Sequence, residues 1–454
     1  MRTDLRLAWL LVRGSGRRES WRIALTAAGA MCATGLALAA VALAALGEGQ
    51  YATRLVHGLL DRPGERHGLL LALLLLEIPV LGFLGQCARI GAVQRDRRLA
   101  SLRLAGAEAR RVRRIAALET GPACLLGSAL AVAVAEPLLL AYWHRPTVLA
   151  WAGAALVALG VPVLGTMAAV LTLRRVPAAP LGRTGRAGRP RSGRGPGLLF
   201  LGASVAVTVT AVINASVTGS PAWLGSAALM VPGGVVIVGA GSIWLAGTLS
   251  GLTGRLFAAR TGSPAVLIAA ERLRADPWAP ARTHAAVLLV TVVGTGYAGV
   301  RHVLLTVLHD LRRTGQLGSD LSFYAAGLDL TAAAVLLAVL IAVAALATGT
   351  AEALATRRRG LAAQVAAGVP RAVLARAVLL ETALPLAPAL LVAGAGGMAI
   401  GLGYGWIAGG RAGLPVPYTA LLVPAGVYAA CLLATAASLP LLRRAVRPGE
   451  LRYA

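Results

Sequence analysis

Ten apolar runs dominate the chain, at about 23–47, 68–88, 118–141, 149–173, 198–217, 225–249, 285–307, 329–350, 377–404 and 416–441. Each is long enough, or nearly so, to cross a bilayer, which takes about 20 helical residues. The eighth is softest at its edge, where Asp329 falls in the first turn. Charged residues make up 14% of the chain, against about 25% in an ordinary soluble domain. A soluble fold of this length could not cover so much apolar surface. The expectation is an all-α integral membrane protein of about ten transmembrane helices.

The net charge of +26 would suggest nucleic acid in a soluble protein, but aromatic residues are only 4%, too few for base stacking. All 44 basic residues are Arg. Abundant Arg, Ala and Gly without Lys points to a GC-rich bacterial genome. With the N-terminus inside, 36 Arg fall on the inner side of the ten-span plan and 8 on the outer side. Positive charge retained inside predicts a multi-pass plasma-membrane protein with both termini cytoplasmic. The inner arginines also favour anionic lipid headgroups, so nucleic acid is not expected as a partner. The first run follows Arg17, Arg18 and Arg22 and is about 25 residues long, longer than a signal-peptide apolar core of roughly 7–15. It reads as an uncleaved helix. Cys32, Cys87, Cys124 and Cys431 lie in or beside the runs without metal-ligand spacing, and read as small packing residues.

A repeat organises the runs. Arg98–Gly121 reads RLASLRLAGAEARRVRRIAALETG, and Gly360–Ala383 reads GLAAQVAAGVPRAVLARAVLLETA. Gly106 faces Gly368, Glu119 faces Glu381 and Thr120 faces Thr382, at a constant offset of 262. The register extends upstream through Arg95/Arg357 and Arg97/Arg359. One copy lies between runs two and three, the other between runs eight and nine. Six runs separate them, and an even number preserves orientation, so the duplication is parallel rather than inverted. The expected domains are a four-helix repeat at 1–175, a disordered Arg-, Gly- and Pro-rich linker at 176–197, two spacer helices at 198–260 and a second four-helix repeat at 261–454.

Each copy predicts a short surface helix, a sharp corner and a second helix rising into the membrane. In the first, Leu99 and Leu102 share one side of the helix candidate 96–105, opposite arginines. Gly106 can end that helix in a left-handed cap. In the second, Pro370 follows Gly368 by two residues and suits a first helical turn. A basic helix resting on lipid would account for one copy. A gapless second copy favours docking to a partner.

The sequence Arg-rich helix, Leu-Ala, Ala-Gly, basic helix, Leu-Glu-Thr resembles the cytoplasmic loop of FtsX-like permeases. These are the membrane subunits of type VII, macrolide-exporter-like ABC transporters. Ile268–Thr283, IAAERLRADPWAPART, is similar to that family's basic lead-in to the first span of a unit, and LAWLLVRGSGRRESWR near the N-terminus is similar to it again. The ten-span plan resembles the bacitracin and lantibiotic resistance permeases. The resemblance implies two parallel four-helix repeats with two central spacer helices. It implies that Arg95, Arg97, Arg98, Leu99, Leu102, Gly106, Arg357, Arg358, Arg359, Leu361, Gly368 and Pro370 form two ATPase-coupling loops, with Glu119 and Glu381 as interfacial acids. It implies a cytoplasmic ABC ATPase, in two copies per chain, as the subunit that uses ATP and Mg²⁺. The function so implied is ATP-driven export or extraction of a hydrophobic or amphipathic compound, such as an antimicrobial, a peptide or a lipid. Such relatives usually carry a large outer domain, but here segments 48–67 and 308–328 are short; Leu304–Arg313 reads as an extension of the seventh helix.

No cofactor or metal is expected on this chain and no catalysis, because a Walker A sequence needs a Lys and none is present. Gly397, Gly401 and Gly405 predict close helix packing. Glu77 is the one acid near the middle of a run, and intramembrane acids are functional candidates by default. Its repeat counterpart is Val339, so Glu77 stands outside the duplicated machinery. Two alternatives follow: a non-transporting FtsX-like regulator of a cell-wall hydrolase, and an ion-coupled secondary transporter using Glu77.

Overall fold

A computed structural model describes residues 17–45, 73, 77, 80, 84, 108–142, 147–172, 222–315, 321–409 and 417–445. The described residues form helices and turns without strands. Eight of the helices are long and apolar enough to cross a membrane. The protein is therefore an all-α, multi-pass membrane protein, as its apolar runs predict. Each of these eight helices overlaps one of the expected runs; the fifth run, 198–217, lies outside the described residues, and of the second only Leu73, Glu77, Val80 and Leu84 are described, all helical.

The chain divides into two units, Met1–Ala187 and Gly188–Ala454. In the first, α1 (Arg17–Ala44) packs against α2 (Ala109–Tyr142) and α3 (Val148–Thr172), and α2 packs against α3. Leu84 meets Ala30 of α1 and Cys124 of α2, which seats its helical stretch in the unit.

The second unit holds α4 (Ala222–Arg260), α5 (Pro264–Ala275), α6 (Trp278–Arg313), α7 (Leu321–Thr356), α8 (Arg358–Ala366), α9 (Arg371–Gly409), a 3-10 turn (Tyr418–Leu421) and α10 (Leu422–Ala445). Helices α6 and α9 form its centre, with α4 against both, α7 against α6, and α10 against α7 and α9. Small residues allow the central pair to approach. A Cβ on Gly397 would lie 2.6 Å from the Val292 carbonyl oxygen, and one on Gly401 would lie 3.0 Å from Gly299 Cα. The expected packing role is thus seen at Gly397 and Gly401; the side of α9 at Gly405 lies outside the described residues.

Burial runs opposite to a soluble fold. Alanines such as Ala30, Ala269, Ala389 and Ala393 are fully enclosed, while Leu125, Leu156, Leu336 and Leu433 face outward. Lipid tails solvate leucine as well as another helix does, so contact selects small residues instead. Hydroxyls that enter the helices donate to their own backbone, as Ser250 does to Ala246, Thr291 to Val287 and Thr435 to Cys431. That satisfies them where water is absent.

Several boundaries differ from the sequence expectation. The sixth apolar run spans 225–249, but α4 continues to Arg260 and its membrane-length part is 233–260. Tertiary contact explains the extension. Gly247 abuts the Trp278 ring and Gly254 abuts α5 at Ala270, each at less than 3 Å from a built Cβ. Helix α4 thus packs against α5, α6 and α9 within the second unit. Helix α6 starts at Trp278, not near 285, and runs unbroken through the expected extension at Leu304–Arg313.

Candidate functional site

The site grows from the second copy of the repeat. Helix α7 ends at Thr356, and one non-helical residue, Arg357, separates it from α8. The nine residues of α8 end in a Schellman corner. Gly368 N–H donates to the Val365 carbonyl and Val369 N–H to the Gln364 carbonyl, both at 3.0 Å. These two bonds require a left-handed residue between them, and Gly368 has φ +92°. Pro370 stands just before α9, and its carbonyl accepts the N–H groups of Val373 and Leu374. The expected order of short helix, glycine corner and long helix is therefore present in this copy.

Apolar packing fixes the corner. Leu361 of α8 is 1% exposed and packs with Leu354, Leu374, Val378 and Leu442. Val365, Val369 and Ile268 close around that cluster. Leu361 thus anchors the loop from beneath. The surface left for a partner is formed by other positions, among them exposed Ala363, Ala366 and Arg371.

Glu381 lies on α9 at the height of Arg357. The ten residues from Arg371 to Glu381 span about 15 Å of helix and the nine of α8 about 13 Å. The corner therefore closes two arms of similar length. Glu381 Oε1 accepts a hydrogen bond from Arg357 Nη1 at 2.5 Å. Its Oε2 accepts one from Arg272 Nη1 at 2.9 Å. Glu381 is 22% exposed and Arg357 43%. Arg272 belongs to α5, the lead-in helix, which packs against α4 and α9. One carboxylate thus joins the start of α8, α9 and the sequence-distant α5.

Behind this cluster is a cavity of about 110 Å³. Arg272, Asp276, His284, Thr350, Glu381 and Thr382 contribute polar groups to its wall. Asp276 is held by Arg282 at 2.7 Å. His284 is 4% exposed. The arrangement binds charge to charge and seats a helix. Among the described residues there is no grouping of three or more His, Cys, Asp or Glu suited to a metal ion.

Other sequence candidates are placed less fully. Arg95, Arg97, Arg98, Leu99, Leu102 and Gly106 lie outside the described residues, as does the side chain of Glu119. Helix α2 nevertheless begins at Ala109 and α9 at Arg371, again 262 apart. The side chain of Arg359 is also outside the described residues, and Arg358 is half-buried. Glu77 lies in the first unit on a helical stretch with fully buried Val80. Its Oε2 is buried without a hydrogen-bond partner among the described residues. Arg272 lies in the basic lead-in segment, where several arginines share the same surroundings in sequence. Its signal was present as an Arg in a basic segment, but nothing local marked which acid it meets, 109 residues away.

No family model, curated protein or solved structure matches this chain.

Proposed function

We propose that the protein is the membrane-spanning permease subunit of an ABC transporter, built on the ten-span, two-repeat FtsX-like plan and lying in a bacterial plasma membrane with both termini cytoplasmic. In this reading it exports or extracts a hydrophobic or amphipathic compound, and a separate ATPase binds ATP and Mg²⁺. The observation that carries the reading is the loop at 357–371. A short helix is held on an apolar seat and turned by Gly368 into a long membrane helix, in a segment the sequence writes twice at an offset of 262. Such a helix is stiff enough to pass a push from a soluble partner to α9. Basic residues beside it favour an acidic docking groove, which would speed and orient association.

In this reading both loops lie on the cytoplasmic side and serve the two equivalent grooves of an ATPase dimer, so the expected particle holds one permease chain and two ATPase copies. Purification from native membranes followed by mass determination tests this. A particle with two permease chains, or one lacking any ATPase, would sink the proposal. Replacing Arg357, Arg358 and Arg359 by Glu should weaken ATPase association at least tenfold while the chain still inserts.

Glu77 favours a second reading, ion-coupled transport, because a buried carboxylate oxygen with no partner among the described residues, in an apolar run, suits a transported cation or proton. Transport by reconstituted protein without ATP, driven by an ion gradient, would select it.

A further inference from the structure

We propose that Glu381 is a positioning residue: its carboxylate clasps Arg357 and Arg272 together, so that α8 and the lead-in helix α5 are tied to one turn of α9 and move as a unit. The inference goes beyond a docking role for the loop, and it rests on that role only in naming the source of the push.

Each carboxylate oxygen has its own partner, Oε1 with Arg357 and Oε2 with Arg272. Neither guanidinium therefore displaces the other. The pairs are half-sheltered, with an apolar cluster beneath the loop, so water screens them less than it would an exposed pair. The other acid in the cavity wall, Asp276, is engaged by Arg282, and Glu271 is engaged by Arg274. Asp276 and Glu271 thus have arginines of their own. Arg357 is the single residue between α7 and α8, so anything that swings α8 pivots about the clasp. The cavity of about 110 Å³ gives the surrounding side chains room to shift. The sequence also keeps this Arg and this Glu in both copies, 24 residues apart at 95 and 119 as at 357 and 381. A purely local surface pair would not require that spacing twice.

Hydrogen exchange of the full-length protein in lipid nanodiscs tests the clasp. Glu381→Gln should speed amide exchange about tenfold or more in both 358–366 and 264–275, leaving 422–440 unchanged. Transposing the pair, Arg357→Glu with Glu381→Arg, should restore protection to 358–366 but not to 264–275, because the new Arg would face Arg272. Unchanged exchange in Glu381→Gln overturns the proposal. So does a transposed pair that restores protection to 264–275, since packing of Ile268 against the apolar cluster would then carry the link. These measurements contain no ATPase, so the clasp and the transporter reading stand or fall separately.

Discussion

Gly368 carries its role in one dihedral. A built Cβ there meets nothing within 4 Å, so space is not the constraint; φ +92° is. Gly368→Ala should destabilise by about 1–2 kcal/mol, the cost of a left-handed L-residue. Gly360, in α8, is exposed and also has open space. Gly360→Ala should stabilise by about 0.5–1 kcal/mol, because a helix-interior glycine costs backbone entropy. Thermal unfolding in detergent should therefore give shifts of opposite sign from two alanines in one loop; equal signs would refute the assigned corner. Gly368 was legible in the sequence, since a glycine two residues before Pro370 marks a helix end. Arg272 was not, because a salt bridge across 109 residues leaves no local pattern.

At the scale of elements, α6 and α9 cross where glycines let backbone meet backbone. Gly397→Ala should force the pair apart, since its Cβ would lie 2.6 Å from the Val292 carbonyl oxygen and 3.1 Å from Gly296 N. Overpacking of this kind costs about 1–3 kcal/mol. Gly403, on the same helix with nothing within 4 Å, is the control. A lower midpoint for Gly397→Ala than for Gly403→Ala is expected, and the reverse order would contradict the crossing. The four-residue spacing of glycines announced this contact but not its partner. The ends of α4 and α6 were less legible. Apolar runs mark where lipid begins, whereas these helices continue beyond it on contacts with α5 and with Trp278.

At the scale of the whole molecule, the arginine asymmetry makes a prediction about sides. Gly262, between α4 and α5, and Thr314, at the end of α6, flank one membrane-length helix. In a cysteine-free background, Thr314→Cys should react with an impermeant maleimide added to intact cells. Gly262→Cys should react only after permeabilisation. Labelling of both, or the opposite pattern, would overturn the inside-positive orientation. The basic end of the second unit also holds the corner and the clasp, which is where the sequence places its repeat.

By itself the sequence determined that the chain is helical and membrane-embedded, and where most of its long helices lie. Hydrophobic runs of bilayer length act locally, and so do a glycine corner and a proline start. Helices α2 and α9 begin 262 residues apart, the same offset as the sequence repeat. Tertiary structure decided what those helices touch. It turned Leu361 inward and set α4 against α6 and α9. It also brought Arg272 and Arg357 to one carboxylate. Such contacts depend on the rotation and depth of each helix, and runs of Ala, Leu, Val and Gly specify neither, because lipid and protein solvate those faces almost equally.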